Sequence, residues 1–177
     1  MGQSQSQLTS DELRDLQRIS KFTAKELKRL YKRFKDLDTS STGTLTRAEF
    51  LALPELAMNP LRDRILILLD ANSSGSVNFR DFVSVLSVFT ARASREEKLR
   101  FSFRLYDLDE DGVIRKHELL EVLQTMVGCN LTETQLNSIV DKTFREVDLD
   151  GDGEITFEEF SELLKDSDVE NRMTIRF

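Results

Sequence analysis

Four segments of the chain place oxygen-bearing side chains at fixed offsets around a glycine. Each begins with an aspartate, at Asp38, Asp70, Asp107 or Asp148, and each has glycine at its sixth position. A twelve-residue loop with oxygen ligands at positions 1, 3, 5, 7, 9 and 12 supplies the roughly six to eight hard ligands that Ca²⁺ prefers, and glycine at position 6 allows a sharp turn. The pattern predicts four candidate Ca²⁺ sites.

Loop 3 (residues 107–118) and loop 4 (residues 148–159) carry the complete ligand pattern, with carboxylates at positions 1, 3, 5 and 12. An acidic surface turn without metal is the alternative, but it would require these residue types to coincide at fixed offsets twice. We therefore predict two tight Ca²⁺ sites, in which Arg115 at position 9 leaves one corner of loop 3 to water and modestly weakens it. The expected ligands are Asp107, Asp109, Asp111, Val113 and Glu118 in loop 3, and Asp148, Asp150, Asp152, Glu154 and Glu159 in loop 4.

Loop 1 (residues 38–49) and loop 2 (residues 70–81) are poorer in charge, because hydroxyl or amide side chains fill positions 3 and 5. Loop 2 also ends in an aspartate, one methylene shorter than the usual bidentate glutamate, which favours magnesium or weak calcium binding. We expect weaker sites here, and the alternative for either loop is an empty turn held by side-chain hydrogen bonds. The candidate ligands are Asp38, Ser40, Thr42, Thr44 and Glu49 in loop 1, and Asp70, Asn72, Ser74, Ser76 and Asp81 in loop 2.

Helical periodicity flanks the loops that would hold these ligands. Apolar residues recur at helical spacing before loop 1, from Leu27 to Phe34, and after loop 3, from Leu119 to Val127. The acidic loops recur at intervals of roughly 30 to 40 residues, which indicates a fourfold repeat. We predict an all-α fold with four EF-hands in two paired lobes, in which Ile114 of loop 3 pairs with the isoleucine at the same position of loop 4.

Several helix boundaries are legible from capping signals. Asn59 followed by Pro60 predicts a helix that begins at the proline, because proline lacks the N–H group that would be unsatisfied there. Gly128 is predicted to end the helix after loop 3. Three capping boxes predict helix starts, at Thr23 with Glu26, Ser94 with Glu97, and Thr132 with Gln135.

These signals divide the chain into four predicted segments. Residues 1–22 form an acylated N-terminal arm, 23–91 an N-lobe with EF-hands 1 and 2, 92–167 a C-lobe with EF-hands 3 and 4, and 168–177 a C-terminal tail. The stretch 90–94 is short enough to hold two lobes near each other, so the lobe boundary is placed there.

Composition argues against several functional classes. A formal charge of −7 repels nucleic acid, and no apolar run is long enough for a membrane span. The chain has one histidine, His117, and one cysteine, Cys129, and it lacks Gly-x-Ser-x-Gly and P-loop motifs, so we expect no enzyme. We expect a cytoplasmic protein, with His117 on the surface and Cys129 buried at a helix end.

The first residues fit the N-myristoylation pattern, with Gly2 as the acylated residue. One acyl chain binds membranes only marginally, so a basic helix nearby would supply the second signal for membrane contact. The alternative is an ordinary solvated helix face. The basic residues concerned are Lys21, Lys25, Lys28, Arg29, Lys32, Arg33 and Lys35.

The sequence resembles the calcineurin B and calcineurin B homologous protein family along nearly its whole length. The blocks that carry the resemblance are Leu53-Pro54-Glu55-Leu56 with Asn59-Pro60-Leu61, the run from Lys98 to Asp107, Met126-Val127-Gly128 with Asn130-Leu131, and Gln135-Leu136 through Val140 to Thr143.

The resemblance implies two EF-hand pairs side by side, an acylated Gly2, and a hydrophobic groove that clasps a helix of a Ser/Thr phosphatase catalytic subunit. It also implies structural C-terminal sites and regulatory N-terminal ones. With methionine scarce, Leu, Phe and Ile would line the groove, which favours a dedicated amphipathic-helix partner.

Two other functions remain open at this point. The tail at residues 168–177 looks more like the homologous proteins that bind sodium/proton exchangers, whereas the short inter-lobe linker favours calcineurin B itself. Plant-type calcineurin B-like kinase regulators are a more distant relative. A calcium buffer without a target is the alternative from a different class.

Overall fold

The computed structural model describes residues 7–52, 59–70, 74–168 and 173. Over these residues it is mostly helical, and the strands pair only as two short two-stranded sheets. The residues form two compact units, one made of the residues up to Ser94 together with Met173, and one made of residues 95–168. The predicted all-α EF-hand fold is confirmed.

The first unit contains five described helices and two strands. In chain order these are α1 (Ser10–Ile19), α2 (Ala24–Leu37), β1 (Thr44–Thr46), α3 (Arg47–Leu51), α4 (Arg62–Leu69), β2 (Ser76–Asn78) and α5 (Phe79–Val88). Aromatic and aliphatic side chains from α2, α3 and α5 fill its core. Phe34 and Phe82 are each 1% exposed and meet edge to face, with ring centroids 5.5 Å apart.

The second unit repeats this arrangement. Its elements are α6 (Arg95–Tyr106), β3 (Val113–Arg115), α7 (Lys116–Val127), a 3₁₀ turn (Gly128–Asn130), α8 (Glu133–Val147), β4 (Glu154–Thr156) and α9 (Phe157–Leu163). Phe103 of α6 packs against Phe157 and Phe160 of α9, with centroid distances of 5.7 and 5.5 Å. The helices before loop 3 and after loop 4 are therefore joined through an aromatic core.

Capping interactions begin several of these helices. The predicted boxes at Thr23 with Glu26 and at Thr132 with Gln135 are both present. A further box, Thr9 with Glu12, begins α1, inside the segment assigned above to the N-terminal arm. The prediction that a helix begins at Pro60 is wrong: Asn59 accepts the Leu61 N–H at 2.9 Å in a turn, and α4 starts at Arg62.

The end of α7 follows the predicted signal. The helix stops at Val127, and Gly128 follows with φ of +55°, in the region that favours glycine. Cys129 lies in the 3₁₀ turn that comes next and is exposed, so the prediction that it is buried is wrong. The turn carries the chain away from the α7 core face before Cys129 is reached. His117 is exposed, as predicted.

The described residues include no helix that is both long and apolar enough to cross a membrane.

Candidate metal centres

The loops are joined in pairs by the two short sheets. Ile114 lies directly opposite Ile155 between loops 3 and 4, and Leu45 lies opposite Val77 between loops 1 and 2. All four side chains are at most 3% exposed. The predicted pairing of the two isoleucines is confirmed, and each pair of loops shares one small hydrophobic centre.

Loop 3 brings its carboxylates together around one point. Oxygen atoms of Asp107, Asp109 and Glu118 lie within 4.8 Å of one another, and Asp107 and Glu118 are buried. Glu118 holds both ends of the loop: one oxygen accepts the Leu108 N–H at 2.7 Å and the other accepts the Arg115 N–H at 2.7 Å. The twelfth residue therefore already lies against the ligand cluster.

The acids of loop 3 are crowded at low exposure. Burial raises the pKa of Asp107 above its usual range, and the charges of Glu118 and Asp111 act in the same direction. Such crowding disfavours the doubly charged state and is relieved by a cation at the centre. A hard, multidentate set of carboxylate oxygens is the donor chemistry that fits Ca²⁺.

Loop 4 has the same plan with greater exposure. Oxygens of Asp148, Asp150 and Asp152 lie within 4.8 Å of one another. Glu159 accepts the Leu149 N–H and the Thr156 N–H, each at 2.8 Å. Burial acts in the opposite direction, but these hydrogen bonds hold the pKa of Glu159 below its usual value, so it stays ionised.

Glycine at position 6 allows the turn in each acidic loop. Gly112 and Gly153 have φ of +96° and +85°, a region that other residues adopt only with strain. Their N–H groups donate to the first aspartate of the loop, at 3.1 Å for Gly112 to Asp107 and 3.0 Å for Gly153 to Asp148. The turn thereby orients the position-1 carboxylate.

The oxygens of loop 1 bond mainly to one another. Asp38 is buried and accepts the N–H groups of Thr42 and Gly43 at 2.9 and 2.8 Å, and Ser40 Oγ lies 3.4 Å from its carboxylate. The main-chain carbonyl of Thr44, the position-7 donor, accepts from Thr42 Oγ at 2.9 Å. The loop holds its turn through hydrogen bonds of the kind expected for the empty-turn alternative.

Glu49 closes loop 1 in the same way as the twelfth residues of loops 3 and 4. Its carboxylate accepts N–H groups from Thr46 and Ser40, both at 2.9 Å, and the Thr39 hydroxyl at 2.8 Å. These bonds lower its pKa to about 2. Loop 1 thus keeps an ionised acid at each end and neutral oxygens between them.

Loop 2 is described only in part, and Asn72 lies outside the described residues. Asp70 accepts the Ser74 and Gly75 N–H groups at 2.8 and 2.6 Å. Ser74 Oγ donates to the Ser76 carbonyl at 2.9 Å, and Asp81 accepts from the Asn78 side chain at 2.5 Å. Over the part of the chain that the structure covers, clusters of three acids form in loops 3 and 4 and not in loops 1 or 2.

One interaction at the metal centres was missed by sequence reasoning. Arg115 at position 9 of loop 3 forms ion pairs with Asp111 of its own loop and with Glu154 of loop 4. The Arg115 side chain lowers the pKa of Asp111. Strand pairing would have revealed this, since positions 9 and 7 of paired loops lie opposite each other and here carry opposite charges.

Comparison with known proteins bears on the whole chain. Residues 96–165 match the family model of an EF-hand domain pair, a family that binds Ca²⁺. The calcineurin B protein of Naegleria gruberi is 51% identical over 176 residues, which cover 99% of each chain. That of Schizosaccharomyces pombe is 46% identical over 175 residues, covering 99% of this chain and 98% of the relative, and the type 1 calcineurin B of Dictyostelium discoideum is 41% identical over 178 residues, covering 100% and 99%. Since such identity extends from end to end, this chain belongs to the calcineurin B family.

Proposed function

We propose that this protein is the calcium-binding regulatory subunit of a calcineurin-type Ser/Thr protein phosphatase, and that it stabilises and activates the catalytic subunit in response to Ca²⁺. The observation that carries the proposal is the full-length identity of 40–51% to proteins named calcineurin B. The role is regulatory, and the catalytic groups belong to the partner.

Loops 3 and 4 are the tight sites in this proposal. Their support is the pair of acid clusters, each with its position-12 glutamate already folded back onto the start of the loop. A loop that is closed before the ion arrives loses less conformational entropy on binding, which raises affinity. These sites would keep the C-lobe folded at resting Ca²⁺ concentrations.

Loops 1 and 2 are the weaker, regulatory sites. An ion entering loop 1 gains fewer charged ligands, and it must also displace hydrogen bonds such as that from Thr42 Oγ to the Thr44 carbonyl. In loop 2 the corresponding bond runs from Ser74 Oγ to the Ser76 carbonyl. Occupancy of the N-lobe would then follow the rise of Ca²⁺ during a signal.

The partner would bind as an amphipathic helix in a hydrophobic groove. Large apolar side chains that face solvent in this structure support such a surface: Ile67 of α4, Met126 of α7, Ile139 of α8 and Leu163 of α9 are 40–56% exposed. The division proposed for this function is an N-terminal arm at 1–22, an N-lobe at 23–91, a C-lobe at 92–167 and a tail at 168–177.

Acylation of Gly2 would add membrane contact. Gly2 lies outside the described residues, and the support comes from its sequence pattern and from the basic face of α2, where Lys25, Lys28, Lys32 and Lys35 are exposed. Co-expression with an N-myristoyltransferase should add one myristoyl group to the intact mass, and Gly2→Ala is the matched control. An unmodified mass would contradict this part of the proposal.

Reconstitution with a purified calcineurin-type catalytic subunit tests the main proposal. We expect a one-to-one complex in Ca²⁺ and in chelator, with phosphatase activity that rises with Ca²⁺. Glu49→Gln should raise the Ca²⁺ concentration needed for activation without dissolving the complex, whereas Glu118→Gln combined with Glu159→Gln should weaken the complex itself.

The alternatives predict different partners in the same experiment. Preferential binding to the tail of a sodium/proton exchanger would favour the exchanger-cofactor function. Calcium binding with equal affinity at all sites, and with neither partner retained, would favour a calcium buffer.

A further inference from the structure

Arg115 stands where the other loops have a neutral group. It is the last residue of β3 and the ninth residue of loop 3, directly opposite Glu154 of β4. The same position holds Thr46, Asn78 and Thr156 in the other loops, and those side chains cap the helix that follows. Loop 3 alone among the four therefore carries a cation at position 9.

The guanidinium group of Arg115 lies between the carboxylates of two metal loops. Nη1 contacts Asp111 Oδ2, the position-5 ligand, and lies 3.8 Å from Asp109 Oδ2, the position-3 ligand. On its other side, Nε and Nη2 lie 3.0 and 2.8 Å from Glu154 Oε1. The side chain is one third exposed, so solvent screens these pairs only in part.

Calcium and this guanidinium compete for the same oxygen atoms. Asp111 is among the ligands expected to turn toward an ion in loop 3, and its carboxylate is engaged by Nη1 of Arg115. A hydrogen bond to a charged group contributes roughly 1.5–3 kcal/mol, so drawing Asp111 to the ion offsets part of the binding free energy. Loop 4 has Thr156 at the same position, whose hydroxyl donates to Glu159 at 2.8 Å and carries no charge.

Glu154 is placed to limit the competition. As the position-7 residue of loop 4 it would offer its main-chain carbonyl to an ion, so its carboxylate need not leave Arg115 when loop 4 fills. It can hold the guanidinium after Asp111 has turned to the ion in loop 3. Without Glu154, the full charge of Arg115 would face the loop 3 ligands.

We propose that Arg115 is a tethered counter-ion of loop 3, which sets the calcium affinity of loop 3 below that of loop 4, and that Glu154 holds Arg115 back. The inference rests on the proposed calcium binding at loops 3 and 4, and it concerns the order in which they fill. The C-lobe would then bind calcium in two steps, loop 4 before loop 3.

A calcium titration followed by ¹⁵N NMR resolves the two loops in the full-length protein. The amides of Gly112 and Gly153 each donate to the first aspartate of their own loop, so each reports on one site. We expect Gly153 to reach its midpoint at lower Ca²⁺ than Gly112. Arg115→Gln should move the Gly112 midpoint roughly three- to tenfold lower, about 0.6–1.4 kcal/mol, and leave that of Gly153 within twofold.

Lys116→Gln is the matched control. It removes the same charge one residue along, but Lys116 pairs with Asp141 of α8 at 2.7 Å and not with a loop carboxylate. We expect the Gly112 midpoint to move less than twofold. A shift as large as that of Arg115→Gln would reduce the effect to long-range charge and overturn the proposal.

Glu154→Gln tests the holding role. In the presence of Arg115 it should move the Gly112 midpoint to higher Ca²⁺, and in the Arg115→Gln background that shift should disappear. A Gly112 midpoint unchanged by Arg115→Gln would overturn the inference while leaving the proposed function intact. Failure of both amides to respond to millimolar Ca²⁺ would instead overturn the calcium-binding function on which the inference rests.

Discussion

The twelfth residue of each loop shows how much one methylene group matters. Glu49, Glu118 and Glu159 each accept main-chain N–H groups near the start of the loop and again at position 9, so the carboxylate bridges the loop before any ion binds. Asp81 of loop 2 has a shorter reach, and among the described residues it accepts its side-chain hydrogen bond from Asn78 at position 9. Loop 2 should therefore be limited by its closing residue as well as by its neutral ligands.

Asp81→Glu should raise the calcium affinity of the N-lobe, because the longer side chain can present both oxygens to the ion. We expect roughly a tenfold gain, equivalent to about 1.4 kcal/mol, measured by isothermal titration calorimetry. The reciprocal change Glu49→Asp is the control and should weaken loop 1 by a similar factor. An N-lobe affinity that ignores both substitutions would show that the closing carboxylate does not limit these sites.

At the scale of the elements, helix starts and strand pairs carry most of the local design. Glu26 completes the capping box of α2 and also pairs with Arg92, 3.0 Å away. Hydrogen bonds from the Thr23 main chain and hydroxyl, helped by Arg92, lower the pKa of Glu26 from 4.5 to about 2. A carboxylate with a depressed pKa in the folded state stabilises the fold above its unfolded pKa, and this contribution is lost as the pH falls toward the folded value.

Glu26→Gln isolates the charge from the cap. Gln135 makes the same two capping bonds at the start of α8 with a neutral amide, so glutamine can cap α2 without the charge. We expect a loss of about 0.5–1 kcal/mol at pH 7. Urea denaturation should show that loss shrinking between about pH 4.5 and pH 2, and a pH-independent difference would contradict the assignment to charge.

The sheet that joins loops 3 and 4 makes a second prediction at this scale. Ile155→Ala removes a side chain that is 3% exposed and opposite Ile114, so the free energy of unfolding should fall by about 2–5 kcal/mol. Leu149→Ala, in the same loop but 73% exposed, is the control and should cost little. Both can be compared by chemical denaturation with calcium present, and equal losses would argue against a shared hydrophobic centre.

Local signals and tertiary context explain where sequence reasoning succeeded. Capping boxes at Thr23 and Thr132, the helix stop at Gly128 and the isoleucine pair depend on neighbours in sequence or on loop register, and all four were predictable. The delayed start of α4 depends on how Asn59 caps a turn, and the pairing of Arg115 with Glu154 depends on two loops far apart in sequence. A single sequence without its strand register does not carry that information.

At the scale of the whole molecule, charge couples the loops to stability. The chain carries a formal net charge of −7, and much of its acid is concentrated in loops 3 and 4. Two Ca²⁺ ions would bring four positive charges to these clusters. Removal of calcium should therefore leave a fold under greater internal repulsion.

Ionic strength should reveal this repulsion. Raising NaCl from about 0.01 to 1 M shortens the screening length roughly from 30 to 3 Å, so the Tm of the chelator-treated protein should rise more than that of the calcium-loaded protein. Differential scanning calorimetry measures both, and choline chloride controls for specific sodium binding. Equal salt dependence in the two states would show that calcium does not act by relieving repulsion.

The exposed turn after α7 has a practical consequence for following these changes. The chain has no tryptophan, so its intrinsic fluorescence is weak, but it has a single thiol. Because Cys129 is exposed and lies in the turn between α7 and α8, a thiol-reactive fluorophore would attach at one position only, where the helix leaving loop 3 meets the helix that leads to loop 4. The fold thus supplies its own labelling site for optical measurement of C-lobe rearrangement, without an engineered residue.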